Sequence, residues 1–101
     1  MNDKQFAERA LQLLAQEYGE PERWFYLSFA SEGGFLGGAI IKAHGITDAV
    51  MKTLKLKINP GGEVMALPII DESKLPDETF RNRLLNRNEV DNLVPPKGVM
   101  N

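Results

Sequence analysis

The chain has no cysteine, one histidine and one tryptophan among 101 residues. Without thiols there can be no disulfide, thiolate metal site, iron–sulfur cluster or cysteine nucleophile. A single histidine excludes a multi-histidine metal centre, so no metal and no cofactor are expected. Charge of one sign is also scarce: 12 basic residues against 14 acidic ones leave a net charge of −2. That balance gives no general attraction to nucleic acid or an anionic membrane. No apolar run nears the ~20 residues of a membrane span. The first residues, MNDKQFAERALQLLAQEYGE, lack the basic-then-apolar order of a secretory signal. The expectation is a cytoplasmic protein with no membrane partner and no sequence-specific nucleic-acid partner.

What is present suffices for a core. A globule of this mass exposes roughly 5,700 Å², against roughly 16,000 Å² for the extended chain. Burial on that scale needs no staples. One domain is expected over residues 1–94. Paired prolines in VPPKGVMN predict an extended tail over 95–101, docked by Val94 and Val99.

Periodicity sets the elements. Phe6, Ala10, Leu13, Leu14 and Tyr18 share one face of a helix over 3–18, with Asn2 or Asp3 as cap, Gly19 at its end and Pro21 beyond. Residues 23–30, RWFYLSFA, are short and aromatic and read as a strand apolar on both sides. Glu32-Gly33-Gly34 reads as a hairpin tip, and 35–43 as the return strand. Thr47 would cap a helix running to about Leu56, with Val50, Met51, Leu54 and Ile58 inward. Asn59-Pro60-Gly61-Gly62 stops it. Residues 63–70 form a third strand, and Pro68 makes it an edge or ends it. Residues 77–87 read as a last helix burying Phe80, Leu84 and Leu85. The result is an α+β fold, order α-β-β-α-β-α, with a small, mainly antiparallel three-stranded sheet and packed helices. Strand three lies either parallel to strand two or antiparallel beside strand one, in order 2-1-3. Both sheet edges are left open in this reading, which points to self-association as a homo-oligomer.

Acid–base chemistry finds few carriers. Asp71-Glu72 and Asp77-Glu78 are loop and helix-start acids with no sign of burial. His44 has no serine or cysteine partner in a recognisable motif, and Ser28 lies within a strand rather than on a nucleophile elbow. The chain does not read as an enzyme.

Bare backbone is more informative. Gly34-Phe35-Leu36-Gly37-Gly38 is no dinucleotide fingerprint, because its glycines fall at a hairpin tip and inside a strand. Gly37 and Gly38 either accommodate a neighbouring ring or let a ligand or subunit approach. Asn59, Gly61 and Gly62 form either a rigid reversal or a small nest of amides usable by hydroxyls or a base edge. Arg83 and Arg87, spaced i,i+4, either pair with nearby acids or clamp a phosphate. Trp24 and Tyr26 on an open sheet face would supply a stacking surface. Trp24, Tyr26, Gly34, Phe35, Gly37, Gly38, Asn59, Gly61, Gly62, Arg83 and Arg87 together make the candidate ligand site.

The run WFYLSFASEGGFLGGAIIKAHG with INPGGEVMALPI, over about residues 23–70, resembles small uncharacterised proteins encoded by phages. The strand, Gly-Phe hairpin, strand, helix, strand order also resembles phage anti-Thoeris cyclic-nucleotide sponge proteins. That resemblance implies an oligomer in the host cytoplasm that sequesters a phosphate-bearing small molecule without cleaving it. Such a ligand would be a cyclic nucleotide or a cyclic ADP-ribose type signal. The alternative is a protein–protein interaction module or inhibitor of a host protein, for which apolar sheet faces and free edges are suited.

Overall fold

The structure is a computed structural model, and it describes residues 2–93. The expected tail over 95–101, with Val94 and Val99, lies outside the described residues. The order is α1 (Asp3–Glu17), β1 (Arg23–Ser31), β2 (Gly34–Ala43), α2 (Ile46–Lys55), β3 (Glu63–Pro68) and α3 (Arg87–Asp91), with two 3₁₀ turns, Glu72–Lys74 and Glu78–Phe80, between β3 and α3. The fold is α+β, and the sheet is antiparallel in the order β2-β1-β3. Among the described residues no helix is long and apolar enough to cross a membrane.

β1 is the central strand, and its alternation builds two layers. Phe25, Leu27 and Phe29 point to one face with Ala39, Ile41 and Ala43, where they meet Ala49 of α2 in the main core. Trp24, Tyr26 and Ser28 point to the other face and are half-buried. Over β2 that second face is covered by the chain's own residues 81–93. Leu85 and Ile40 are fully buried there.

This covering segment departs from the helix expected over 77–87. Asp77 accepts hydrogen bonds from the Thr79 amide (3.0 Å) and hydroxyl (2.8 Å), closing a single 3₁₀ turn. Arg81 is then extended, at φ −96° and ψ 150°, and Asn82 adopts φ +62°. From there the backbone pairs with β2. The Asn82 amide donates to the Ile40 carbonyl (3.0 Å), and Leu85 and Gly38 exchange bonds of 2.8 and 3.0 Å. Amides and carbonyls used along a strand edge cannot also close helical turns. The helix therefore begins only at Arg87, under an Asn86–Glu89 capping box. The same pairing corrects the expectation of two open edges: β2 is occupied at Gly38 and Ile40, and β3 alone stays open among the described residues.

Three smaller expectations also change. α1 forms as read, with a reciprocal Asn2–Gln5 capping box, but none of its residues is buried, and Phe6 is 69% exposed. α2 takes the core face of the sheet, and α1 packs on α2 instead of on the sheet. Gly19 does not take a left-handed φ. Within α2, Ala49 and Thr53 face inward, while Met51 and Leu54 are exposed.

The cap of α2 comes from far away in sequence. Its N-cap is Gly45, which has no side chain to offer. The Glu17 carboxylate accepts from the amides of Thr47 (2.8 Å) and Asp48 (2.7 Å) instead. An added Cβ on Gly45 would lie 2.4 Å from the Glu17 side chain, so the glycine makes room for the carboxylate. Thr47, expected to be the cap, is itself capped: its amide donates to Glu17. Glu17→Ala should lower unfolding stability by about 1–2 kcal/mol, read from urea denaturation. Thr47→Ala should stay within about 0.5 kcal/mol.

Candidate functional site

The residues expected to form one ligand site are distributed along β1 and β2. Trp24 lies at one end, with the Arg81 guanidinium 5.0 Å and the Lys42 ammonium 6.0 Å from its ring centre. Tyr26 lies at the middle, its hydroxyl over Gly38. Phe35 lies at the hairpin end, with the Arg87 guanidinium 4.8 Å from its ring centre. Arg83 and Arg87 do not share a helical face, because α3 starts at Arg87. Arg83 donates to the Thr79 carbonyl (2.7 Å) and pairs with Glu89. That pairing holds the Glu89 carboxyl below, and the Arg83 guanidinium above, their ordinary pKa values.

The strand glycines are filled by the protein itself. A Cβ on Gly38 would meet the Tyr26 hydroxyl and Val90 Cγ2 at 3.0 Å, and one on Gly37 would meet Leu84 Cδ1 at 2.6 Å. Their lack of side chain lets the 84–90 segment lie close on β2. Gly62, at φ +75°, would place a Cβ 2.4 Å from the Ala30 carbonyl of β1. Asn59 locks this turn by donating to Thr53 Oγ1 (3.0 Å) and accepting from the Gly61 amide (2.8 Å). Among the described residues, only Gly34 and Gly61 leave open space where a Cβ would be.

Two clefts lie where α1 meets other parts of the fold. The first, about 400 Å³, has Glu17, Glu20, Arg23, Phe25, His44 and Pro68 among its lining residues. Its polar groups hold a corner of the fold. Asp48, nearly fully buried, accepts from the His44 amide (2.8 Å) and the Tyr18 hydroxyl (3.3 Å). His44 Nδ1 lies 2.7 Å from the Glu20 carbonyl, so that nitrogen carries the proton. The Tyr18 and His44 rings meet edge to face at 5.0 Å. Lys52 ties the corner to Glu22 (2.9 Å) and the Lys42 carbonyl (2.8 Å), and its ammonium holds the Glu22 carboxyl below its ordinary pKa. No local motif announces this corner, because most of its bonds join residues far apart in sequence.

The second cleft, about 430 Å³, is a groove between α1 and α2 lined by Phe6, Arg9, Ala10, Leu13, Ile46, Thr47 and Val50. Its walls are apolar apart from Arg9 and Thr47. Elsewhere, the acid pairs singled out in the sequence serve turns. Bonds from Ser73 hold Asp71 below its ordinary pKa, and bonds from Thr79 do the same for Asp77. A general acid needs the opposite shift.

No family model, curated protein or solved structure matches the chain.

The packing account of the glycines is directly testable. Gly62→Ala should cost about 2–3 kcal/mol through the contact with Ala30 and its left-handed φ. Gly33→Ala meets nothing closer than the Ser31 hydroxyl at 3.7 Å and should change stability by less than about 0.5 kcal/mol. Equal effects in thermal and urea denaturation would refute that account.

Proposed function

We propose that this chain is a non-catalytic binding protein whose partner is another protein, docked along the α1–α2 groove. The observation that carries this reading is a 15-residue, fully capped helix that buries none of its residues. Phe6, Leu11 and Leu13 remain on its surface at 69%, 66% and 39% exposure. Phe6 and Leu13 line the groove with Ala10, Ile46 and Val50, and exposed apolar surface of this kind marks contact sites in soluble proteins. An amphipathic partner helix suits such a groove, and Arg9 at the rim would meet an acidic residue of that helix. Acid–base groups elsewhere favour the same reading: His44, Asp48 and Glu17 are engaged in holding the corner together.

The test is affinity capture followed by titration of the captured protein. Phe6→Ser with Leu13→Ser should weaken binding about 10-fold or more, since burying one such side chain contributes about 1.5–3 kcal/mol. Circular dichroism of the variant should stay that of the parent protein. Undiminished binding by a folded variant would remove the groove as the docking site.

A second reading keeps the phosphate-bearing small molecule, a cyclic nucleotide or cyclic ADP-ribose type signal sequestered as a phage anti-defence measure. One observation favours it: Trp24 stands between Arg81 and Lys42, and neither cation has a carboxylate partner among the described residues. A base stacked on Trp24 would bring its phosphate to both cations. Thermal shift against cyclic nucleotides should then show about 2.7 kcal/mol of stabilisation at 100 times Kd, lost in Trp24→Ala. Absence of stabilisation by every member of the panel would eliminate this reading.

A further inference from the structure

β3 is open along its outer side: among the described residues no backbone group reaches it. Which of its groups face outward follows from the ladder. The Ile69 amide donates to the Trp24 carbonyl at 2.9 Å, and the β1–β3 register runs unshifted from Phe25↔Pro68 to Ala30↔Glu63. Directly bonded pairs alternate with non-bonded ones in an antiparallel ladder. Leu67, Met65 and Glu63 therefore bond to β1. Val64 and Ala66 turn both N–H and C=O outward, and Pro68 turns out a carbonyl alone.

Edge strands are commonly guarded by charges, bulges, proline or a covering element. β3 has one charge, Glu63, at its first position, and one proline at its last. Between them Val64, Met65 and Leu67 are exposed, Met65 and Leu67 by more than half. The strand is thus apolar on both sides and open at its edge.

We propose that β3 of a second copy of this chain occupies this edge, paired antiparallel about a twofold axis through Ala66. A twofold axis perpendicular to the sheet brings like faces together, so the register must centre on a residue. Centring on Met65 would set Glu63 against the partner's Leu67, a charge against an apolar side chain. Centring on Ala66 sets Met65 against the partner's Leu67 and Val64 against the partner's Pro68, and sends the two Glu63 carboxylates to opposite ends. The two Ala66 residues then exchange bonds across the axis, and each Val64 amide finds a Pro68 carbonyl. The missing Pro68 N–H falls at the outer end of each ladder. The product is a continuous six-stranded sheet, β2-β1-β3-β3-β1-β2, with both α2 helices on one face. This surface is separate from the α1–α2 groove, so the dimer stands or falls independently of the partner proposed there.

Sedimentation equilibrium of the whole chain should give twice the 11.3 kDa of one copy, and Ala66→Pro should return it to one. The substitution removes only an outward N–H, leaving the β1 ladder its donors. A monomeric parent protein, or a dimer that survives in folded Ala66→Pro, would overturn the proposal. A second experiment stands if that variant fails to fold. Chains carrying Met65→Cys are mixed with chains carrying Leu67→Cys and oxidised; no native cysteine competes. The register brings these two positions to about 4.5 Å between Cα atoms, within disulfide reach. Like positions sit on a diagonal of about 7–8 Å. The mixed disulfide should exceed either symmetric one at least tenfold; statistical yields or no disulfide would refute the register.

Discussion

Two hydrogen bonds from the start of α2 to the Glu17 carboxylate decide where α1 can be. They place a negative charge on the positive end of a helix that has no cap of its own. They also fix the last turn of α1 against the β2–α2 corner, where Tyr18 and His44 meet and Asp48 is buried. With that end fixed, the remaining turns of α1 lie along α2 and form the wall of a groove. Without it, little else in the described residues would hold α1, since it contributes nothing to the sheet core.

The sheet has a comparable division of labour. One face takes α2 and the aromatic and aliphatic side chains of β1. The other takes a segment that is neither helix nor strand for most of its length, yet satisfies the outer backbone of β2 at Gly38 and Ile40. Gly37 and Gly38 are what allow it: any side chain there would strike Leu84, Tyr26 or Val90. A pattern that looked like space left for a visitor is space taken by the chain itself. Trp24 and Tyr26 are half-covered for the same reason.

The sequence made the local architecture legible. The aromatic run of β1, the Glu32–Gly34 tip, the Asn59–Gly62 reversal and Pro68 at the end of β3 all mark their elements within a residue or two. Order 2-1-3 was one of two arrangements the crossover permits. The final helix was misread because Phe80, Leu84 and Leu85 carry a helical spacing, while Asn82 at positive φ and the pull of β2's unpaired amides win locally. The site was less legible than the fold. Trp24, Tyr26, Phe35 and the arginines do lie on one side of the sheet, but Arg83 and Arg87 lost their shared face with the helix that was to provide it. Glu17 carries no signal of its role, because a carboxylate that caps a distant helix looks, in sequence, like any solvated acid.

Leu85 closes β2 from the far end of the chain. During synthesis the β1–β2 hairpin can form long before residue 85 has emerged, since its strands are joined by a short tip, whereas the closing contact must wait for β3 and the turns after it. For that interval Gly38 and Ile40 offer bare hydrogen-bonding groups to any neighbouring nascent chain. The glycine pair, by weakening the strand's own β tendency, limits how readily that exposed edge recruits the wrong one.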